Sequence, residues 1–512
     1  MNTKLQKLLL ILCILSLNNS VKSSDIVLPK NITSGLELMQ GYVVIRNNTN
    51  NGFLIAGSTP SVDGMRIHLI DVHDTGVIIW NKYISDRTPS HSIYFTSIDS
   101  KQANNGYILC GYLFETSQPG KPISVVVDVN NIGTVQKVQK LNIPGVLVFA
   151  KTIPNGYLFS GYLGNDTTLY TNKRDGYIIK LDDTLAFSWS CKINHNDIQN
   201  NVFANRFDVI NGAEIIIDEL NQDTTYFIHG NYTRKGVLES TVPAIFYAML
   251  DRNGNLFNNF SLEGNFTSNS CVYDKIDKRI WLVGNKTFDV GSGSSFGMLF
   301  KIDYANGIIE SSKKIYGRES EIDGMVPQML CFHNVELLDD TVHVFGYIRK
   351  MSLGNNQLAN PNLSFKISFP KDSLHRYESD FYQSNTMMHT GYLGMFKGTL
   401  SSCYYDEMSL PVGLTPVFYS PKIGTTYKRL NGKNGFGVVN YIQNGSNGLF
   451  SVTLTNNSVN GTCGQLKMYL NIIEETLRPG SMLIFEKSSM PLNVYNLENS
   501  NTTFEIMYCP GG

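Results

Sequence analysis

NGYILCG (105–111) is the stretch that decides the fold, because it recurs along the chain as a turn, a short apolar strand and a closing glycine. Close copies are NGFLIAG (51–57) and NGYLFSG (155–161). Looser copies follow at 224–230, 278–284, 340–346 and 434–440. Self-similarity at a long and roughly regular period is the signature of a repeat architecture. The chain is therefore expected to be built from one repeated unit.

A second element follows these copies and reads as an alternating strand, an acidic turn and another strand. RIHLIDVHDTGVIIW (66–80) and FYAMLDRNGNLFNNF (246–260) are two of its five copies. We predict that one aspartate in each copy accepts hydrogen bonds from turn N–H groups, while a nearby glycine supplies a positive φ. The aspartates taken as equivalent are Asp71, Asp128, Asp182, Asp251 and Asp303.

One further strand precedes the repeated turn, as in SIYFTSID (92–99), so each period holds about four short strands. A period of four strands, repeated seven or eight times, is typical of a β-propeller. We predict an all-β fold: a single seven-bladed β-propeller of four-stranded antiparallel blades. Eight blades are the alternative, with a degenerate copy around MMHTGYL (387–393). Helical periodicity is scarce, and the one helix-like stretch, LKMYLNIIEETL (466–477), is short.

The ring is expected to close by pairing the chain ends, because an open blade exposes strand edges. The candidates are 39–47 at the start and 483–488 or 504–509 at the end.

The N-terminus reads as a secretion signal. Lys4 and Lys7 precede an apolar run over 8–17, and cleavage after Ser23 is acceptable. The alternative is a membrane anchor, but ten apolar residues are too few to span a bilayer comfortably. We predict a signal peptide over 1–23, a lead-in over 24–38 and the propeller over 39–512, in a secreted or periplasmic protein without integral membrane contact.

The charge balance excludes one class of partner. Lys and Arg total 42 against 43 for Asp and Glu, so the chain lacks the cationic excess used to bind nucleic acid or anionic membranes. We expect a monomer.

Cysteines and asparagines carry the expectations for covalent modification. Cys13 lies in the signal, and an odd number of cysteines follows it, so at least one thiol stays free. Cys110 is predicted to be a buried free thiol, and Cys463 with Cys509 is the candidate disulfide of an exported chain. Many sequons, among them those at Asn231, Asn259 and Asn285, mark exposed positions of a glycoprotein if the host glycosylates.

The motifs tested for chemistry predict no catalytic residue, no metal and no cofactor. DRNGN (251–255) begins like a calcium loop, but it lacks the downstream bidentate glutamate, so a plain turn is favoured. The histidines show no zinc spacing, and no nucleophile elbow is present.

IDVHDTGVIIW (70–80) resembles the docking segment of quinoprotein (PQQ-repeat) propellers, with Trp80 and Trp189 at the tryptophan position. The resemblance implies the fold. It does not imply the activity, because that family's enzymes hold their quinone over a vicinal disulfide, and no two cysteines here are adjacent.

The function predicted from these observations is a non-enzymatic binding or scaffold propeller that recognises protein or glycan. The alternative is a polysaccharide hydrolase or lyase that uses acidic residues around the central channel. Three or more Asp, Glu, Arg or His side chains converging at the channel mouth would favour the enzyme, and an apolar or Asn/Ser lining would favour binding. Loops carry binding in such folds, and the longest departures from the repeat are 190–215, 347–362 and 371–425. The binding residues predicted there are Tyr377, Phe381, Tyr382, Tyr404 and Tyr405, unless they pack a degenerate blade.

Overall fold

The structure is a computed structural model, and it describes the chain in segments. The described residues are 30–33, 40–47, 52–61, 64–73, 77–86, 91–102, 105–115, 121–164, 172–194, 205–218, 223–235, 241–287, 295–318, 327–349, 363–371, 391–392, 424–428, 434–444, 447–456, 469–474, 477–479, 484–488, 492–494, 497–500 and 505–508.

The first three blades are antiparallel sheets built from consecutive strands. Blade 1 holds β2 (Gln40–Asn47), β3 (Gly52–Ser61), β4 (Gly64–Val72) and β5 (Ile78–Asp86). Blade 2 holds β6 (His91–Ser100), β7 (Tyr107–Glu115), β8 (Ile123–Val129) and the first part of β9 (Val135–Ile153). Blade 3 holds the second part of β9, β10 (Gly156–Gly164), β11 (Asn172–Leu181) and β12 (Phe187–Asn194), with β13 (Asn205–Phe207) parallel to β11.

Three more blades and a C-terminal sheet continue the pattern. Blade 4 holds β14 (Val209–Asp218), β15 (Asp223–Lys235), β16 (Thr241–Leu250) and β17 (Leu256–Glu263). Blade 5 holds β18 (Phe266–Asp274), β19 (Arg279–Thr287), β20 (Ser295–Asp303) and β21 (Ile309–Arg318). Blade 6 holds β22 (Pro327–Leu338), β23 (Thr341–Arg349), β24 (Leu363–Pro370) and β25 (Gly391–Tyr392). The C-terminal sheet holds β26 (Gly424–Lys428), β27 (Asn434–Asn444) and β28 (Asn447–Asn456).

These sheets form a ring around their first strands. The first strands of successive blades contact one another, which places them at the centre. The C-terminal sheet contacts blade 6 on one side and β2 of blade 1 on the other, so the succession closes on itself. The prediction of an all-β propeller with four-stranded antiparallel blades is confirmed. The number of blades stays a prediction.

The closing glycine of the repeat lies opposite a bulge in the first strand of its own blade. In blade 3 the pairing of β10 with β9 shifts at Gly161, which brings the carbonyl oxygen of Val146 against it. A methyl group at Gly161 would overlap that oxygen and lie 2.9 Å from the Cα of Leu147. The same approach of a carbonyl occurs at Gly111, Gly230 and Gly284. The repeat ends in glycine because a side chain does not fit there.

In blades 4 and 5 the residue after the closing glycine is an asparagine that joins its blade to the next one. The Oδ1 of Asn285 accepts a hydrogen bond from the backbone N–H of Phe332 at 2.7 Å, and its Nδ2 donates to the carbonyl of the same residue at 3.4 Å. Asn231 does the same one blade earlier, since its Nδ2 donates to the carbonyl of Phe266 at 3.1 Å. These amides satisfy backbone groups at the junction between blades, which a buried position requires.

Asn231 and Asn285 are therefore expected to stay unmodified although each begins a sequon. Asn231 is only 3% exposed, and the Nδ2 that would carry a glycan donates to a backbone carbonyl in both residues. Peptide mass spectrometry of the folded chain secreted from a glycosylating cell checks this, with the sequon at Asn259 as the comparison because Asn259 lies in an outer strand. A glycan at either junction asparagine would contradict the described packing.

Apolar side chains fill the spaces between neighbouring blades. One cluster joins blades 1 and 2, and another joins blades 4 and 5. Cys110 belongs to the cluster between blades 2 and 3 and is a buried free thiol, as predicted. Burial raises the pKa of this thiol to about 12, so it is unreactive at neutral pH. Cys463 and Cys509 lie outside the described residues.

The C-terminal segment runs around the outside of the ring. Its strand pairings differ from the sequence-based expectations for the stretch 466–477 and for ring closure. Residues 469–474 form a strand, not part of a helix, because their backbone groups pair with the outer edge of blade 5. The predicted closing segment 483–488 instead supplies a strand to blade 3. The chain ends do meet, but β34 (Glu505–Tyr508) pairs with β1 (Lys30–Thr33), within the predicted lead-in, and not with residues 39–47.

Candidate binding face

Strand alternation places two hairpins of each blade at the same end of the ring. In each antiparallel blade the turn between the first and second strands and the turn between the third and fourth strands share one end. The first strands of blades 2 and 3 run in the same direction, because Ser97 and Asp99 of β6 accept hydrogen bonds from the backbone N–H groups of Ala150 and Thr152 of β9, in that order. The hairpins of all blades therefore lie on one side, which we call the hairpin face.

Three of the predicted turn aspartates organise turns on this face. The Oδ1 of Asp182 accepts hydrogen bonds from the backbone N–H of Thr184 and Ala186 at 2.9 and 2.8 Å. The Oδ1 of Asp251 accepts from two turn N–H groups in the same way, and Asp303 accepts from one. Burial raises the pKa of Asp182, but hydrogen bonds from the Thr184 hydroxyl and from the N–H groups of Thr184 and Ala186 outweigh it, so that the pKa is lowered.

The predicted equivalence of Asp71 and Asp128 with these residues is wrong in register. In blade 2 the turn acceptor is Asn130, whose Oδ1 accepts from the backbone N–H of Thr134 at 2.8 Å. Asp128 lies two positions earlier, on the strand, and accepts from Lys101 at 2.7 Å. Asp71 is likewise a strand residue, paired opposite Trp80. The error arose because the turn position holds Asn130 in blade 2 and His73 in blade 1. In both blades an aspartate lies two residues earlier, and that aspartate was aligned with the turn residues of the other blades.

Two tryptophans dock onto the turns of the following blade. The Nε1 of Trp189, in blade 3, donates to the carbonyl of Arg252, in blade 4, at 3.1 Å. Its ring lies over Gly254, where φ is +77° and an added Cβ would be 2.6 Å from the ring. Trp80 makes the corresponding bond to Asn131 at 3.2 Å. Each tryptophan thus fixes one hairpin of the face.

Replacing Trp189 by alanine is expected to lower the free energy of unfolding by about 2 kcal/mol, since a half-buried ring loses its packing. Replacing Phe187, an exposed residue of the same strand, is the control and should change it by less than about 0.5 kcal/mol. Denaturant titrations of both variants measure the difference. Equal effects of the two changes would show that the docking contact contributes nothing.

Apolar side chains stand exposed on the hairpin face. Every large apolar side chain that is exposed among the described residues lies at one of its hairpins. They are Val77, Ile79, Ile132, Phe187, Ile217, Phe257, Ile276 and Ile308. Ile276 is 80% exposed and Phe257 is 57% exposed, so neither is held by packing within the ring. Exposed apolar residues grouped on one surface mark an interaction site, whereas single ones are ordinary.

The charges on this face have both signs. Exposed acidic side chains among the tips include Asp183, Asp277, Asp339 and Asp340, and exposed basic ones include Arg252, Lys275 and Lys278. An anionic membrane surface attracts an excess of basic residues. This composition fits a protein surface better than a lipid surface.

The central channel holds a charged group near the same end. Lys151 of blade 3 pairs with Glu214 of blade 4 at 3.3 Å, and the carboxylate of Asp99 accepts a hydrogen bond from the backbone N–H of Thr152 at 2.7 Å. Burial opposes the charge of Lys151, but Glu214 and Asp99 outweigh it and raise the pKa of this lysine. A lysine held protonated is neither a nucleophile nor a base. The carboxylates of Asp99 and Glu214 are both occupied by these structural contacts.

The predicted aromatic binding residues lie outside the described residues. They are Tyr377, Phe381, Tyr382, Tyr404 and Tyr405. The apolar hairpin tips were missed from the sequence because each one, taken singly, resembles an ordinary turn residue. Only the ring shows that they share one side.

Among the described residues, no group of three or more His, Cys, Asp or Glu side chains is arranged to hold a metal ion. No helix in this part of the chain is long and apolar enough to cross a membrane.

Comparison with known proteins gives structural likeness without sequence likeness. No family model matches the chain, and no curated protein matches it. Among solved structures, the chain is similar to Drosophila Semaphorin 2a, with 8% sequence identity, a TM-score of 0.38, and coverage of 84% of this chain and 75% of that one. The fold assignment rests on the sheets and their ring contacts described above.

Proposed function

We propose that this chain is an exported, non-enzymatic binding module that recognises a protein through its hairpin face. The observation that carries the proposal is the placement of every exposed large apolar side chain of the described residues at the hairpins of one face. Protein interfaces use such apolar centres with a polar rim. Export is supported by the sequence signal over 1–23.

Protein is favoured over glycan as the ligand because most of the exposed tips are isoleucine or valine, which offer contact area but no hydrogen-bonding group. The aromatic residues of 377–405 are proposed as a second contact region.

The alternative, a polysaccharide hydrolase or lyase, needs acidic groups free to act on the substrate. The carboxylates of Glu214 and Asp99 beside Lys151 are both engaged in structural contacts, Glu214 with the Lys151 amine and Asp99 with the backbone N–H of Thr152. This supports binding as the better proposal. Incubating the purified chain with a panel of polysaccharides and measuring released reducing ends or unsaturated products tests the alternative directly.

The binding proposal is tested with arrays of secreted and cell-surface proteins and of glycans, probed with the purified mature chain. A triple variant, Ile132→Ser, Phe257→Ser and Ile276→Ser, removes apolar tips from three blades without touching the core. We expect each specific protein signal to fall at least about tenfold, as for loss of interface anchors.

Lys82→Ser, in the outer strand of blade 1, is the matched control, and a second variant replaces Tyr382, Tyr404 and Tyr405 by alanine. Protein signals that survive the triple hairpin change would contradict the proposed face. If the aromatic variant alone abolishes them, the second region is the binding site.

A further inference from the structure

The C-terminal segment forms a belt that adds one strand to each of five blades in reverse order. The belt comprises β29 (Tyr469–Glu474), β30 (Arg478–Pro479), β31 (Ile484–Ser488), β32 (Leu492–Val494) and β33 (Leu497–Ser500). These strands pair in turn with the outer strands of blades 5, 4, 3, 2 and 1. The belt therefore runs around the rim from blade 5 to blade 1, opposite to the order in which the chain forms the blades.

The belt is held from one side only. Within the described residues each belt strand pairs with a single strand, the outermost one of its blade. The belt strands are 6, 2, 5, 3 and 4 residues long. Short edge strands of this kind are individually weak, so the attachment depends on several pairings acting together.

The five blades do not need the belt to be complete sheets. Each contributes four strands of its own, and the apolar clusters lie between neighbouring blades, with Leu477 of the C-terminal segment packed against the cluster of blades 4 and 5. A blade that loses its belt strand keeps its four-stranded sheet but exposes a row of backbone N–H and C=O groups. Such an edge is a template for another strand.

We infer that the belt is a detachable element, and that the belt of a second copy of this chain can take its place on the ring. A second copy carries the same segment with the same registers, so it is the occupant whose backbone already pairs with all five edges. The belt pairs with the far halves of the outer strands, at Tyr83–Asp86 in blade 1, for example. This exchange leaves the hairpin face accessible and does not depend on what that face binds.

Exchange is favoured at high protein concentration. In a single chain the belt competes at the effective concentration set by its tether, which exceeds ordinary protein concentrations. Mutual exchange between two chains replaces both belts at once, as in other domain-swapped dimers. The structure thus predicts a slow, concentration-dependent dimer.

Two variants of the full chain, each with one added cysteine, test the inference. Ser85 lies opposite Glu498 in the pairing of blade 1 with the belt. Ser85→Cys and Glu498→Cys are purified separately, mixed at high concentration, incubated and then oxidised. The mismatched control is Ser85→Cys mixed with Glu486→Cys, because Glu486 lies opposite Lys192 of blade 3.

We expect the matched mixture to give about tenfold more heterodimeric disulfide than the mismatched one, rising with concentration and incubation time. The double variant Ser85→Cys/Glu498→Cys reports the pairing within one chain and should form an internal disulfide at low concentration. Failure of the double variant to crosslink would overturn the belt register. An internal disulfide in the double variant, with no excess of heterodimer in the matched mixture, would overturn detachment.

Discussion

Replacing Gly161 by alanine is expected to destabilise the chain by at least about 3 kcal/mol, enough to prevent folding if the native margin is small. The added methyl group would overlap the carbonyl oxygen of Val146 in the first strand of the same blade. That oxygen belongs to a bulged strand which also lines the ring centre, so it can move only by disturbing the neighbouring blade.

Gly164 provides a matched control in the same strand. A methyl group there would meet nothing within 4 Å, so alanine should leave stability unchanged or raise it by a few tenths of a kcal/mol through the unfolded chain. Denaturant midpoints of the two variants, or soluble yield where Gly161→Ala does not fold, make the comparison. Equal stability of the two variants would show that the repeat glycine is not required by the close approach.

Stability is expected to fall steeply as the pH drops below about 6.5. Burial lowers the pKa of His68, His229 and His333 to about 3 each, with Arg66 adding to the effect at His68. The unfolded chain binds a proton at each site near the ordinary value of 6.5, whereas the folded chain does not. The stabilisation is therefore complete above pH 6.5 and is lost as the pH falls towards 3.

The expected slope is about 1.4 kcal/mol per pH unit for each histidine, or about 4 kcal/mol per unit for the three together. Against a native stability of about 5–15 kcal/mol, this predicts acid unfolding roughly one to four units below pH 6.5. Chemical denaturation at several pH values measures the slope.

His229→Gln should reduce the slope by about one third, because one proton uptake is removed. Phe187→Ala, at an exposed site, should retain the full slope. A wild-type stability that is flat between pH 6.5 and 4.5 would contradict the buried, neutral state of these histidines.

The repeat made the blades predictable from sequence. NGYILCG (105–111) and its copies specify a turn, a strand and a glycine. The turn and the strand depend on local sequence, and the glycine depends only on the neighbouring strand of the same blade. The closing glycine is readable because its role, close approach of a carbonyl, recurs in Gly111, Gly161, Gly230 and Gly284.

The belt was not predictable by the same reasoning. Its strands are as short as two residues, and short segments carry too little alternation to indicate a strand. Their conformation comes from the ring edges on which they pair, so LKMYLNIIEETL (466–477) shows helical spacing but forms a strand at 469–474. The hairpin face was equally hidden, because exposure on a common side is a property of the closed ring.

Hydrogen exchange of the complex with the protein ligand found on the arrays tests the central claim most directly. The account predicts that amides of the hairpin turns 130–134, 182–186, 251–255 and 303–308 gain protection on binding, while the outer strand ends that carry the belt do not. Protection confined to the opposite end of the ring or to the belt edges, with the hairpins unchanged, would contradict the hairpin face as the binding surface.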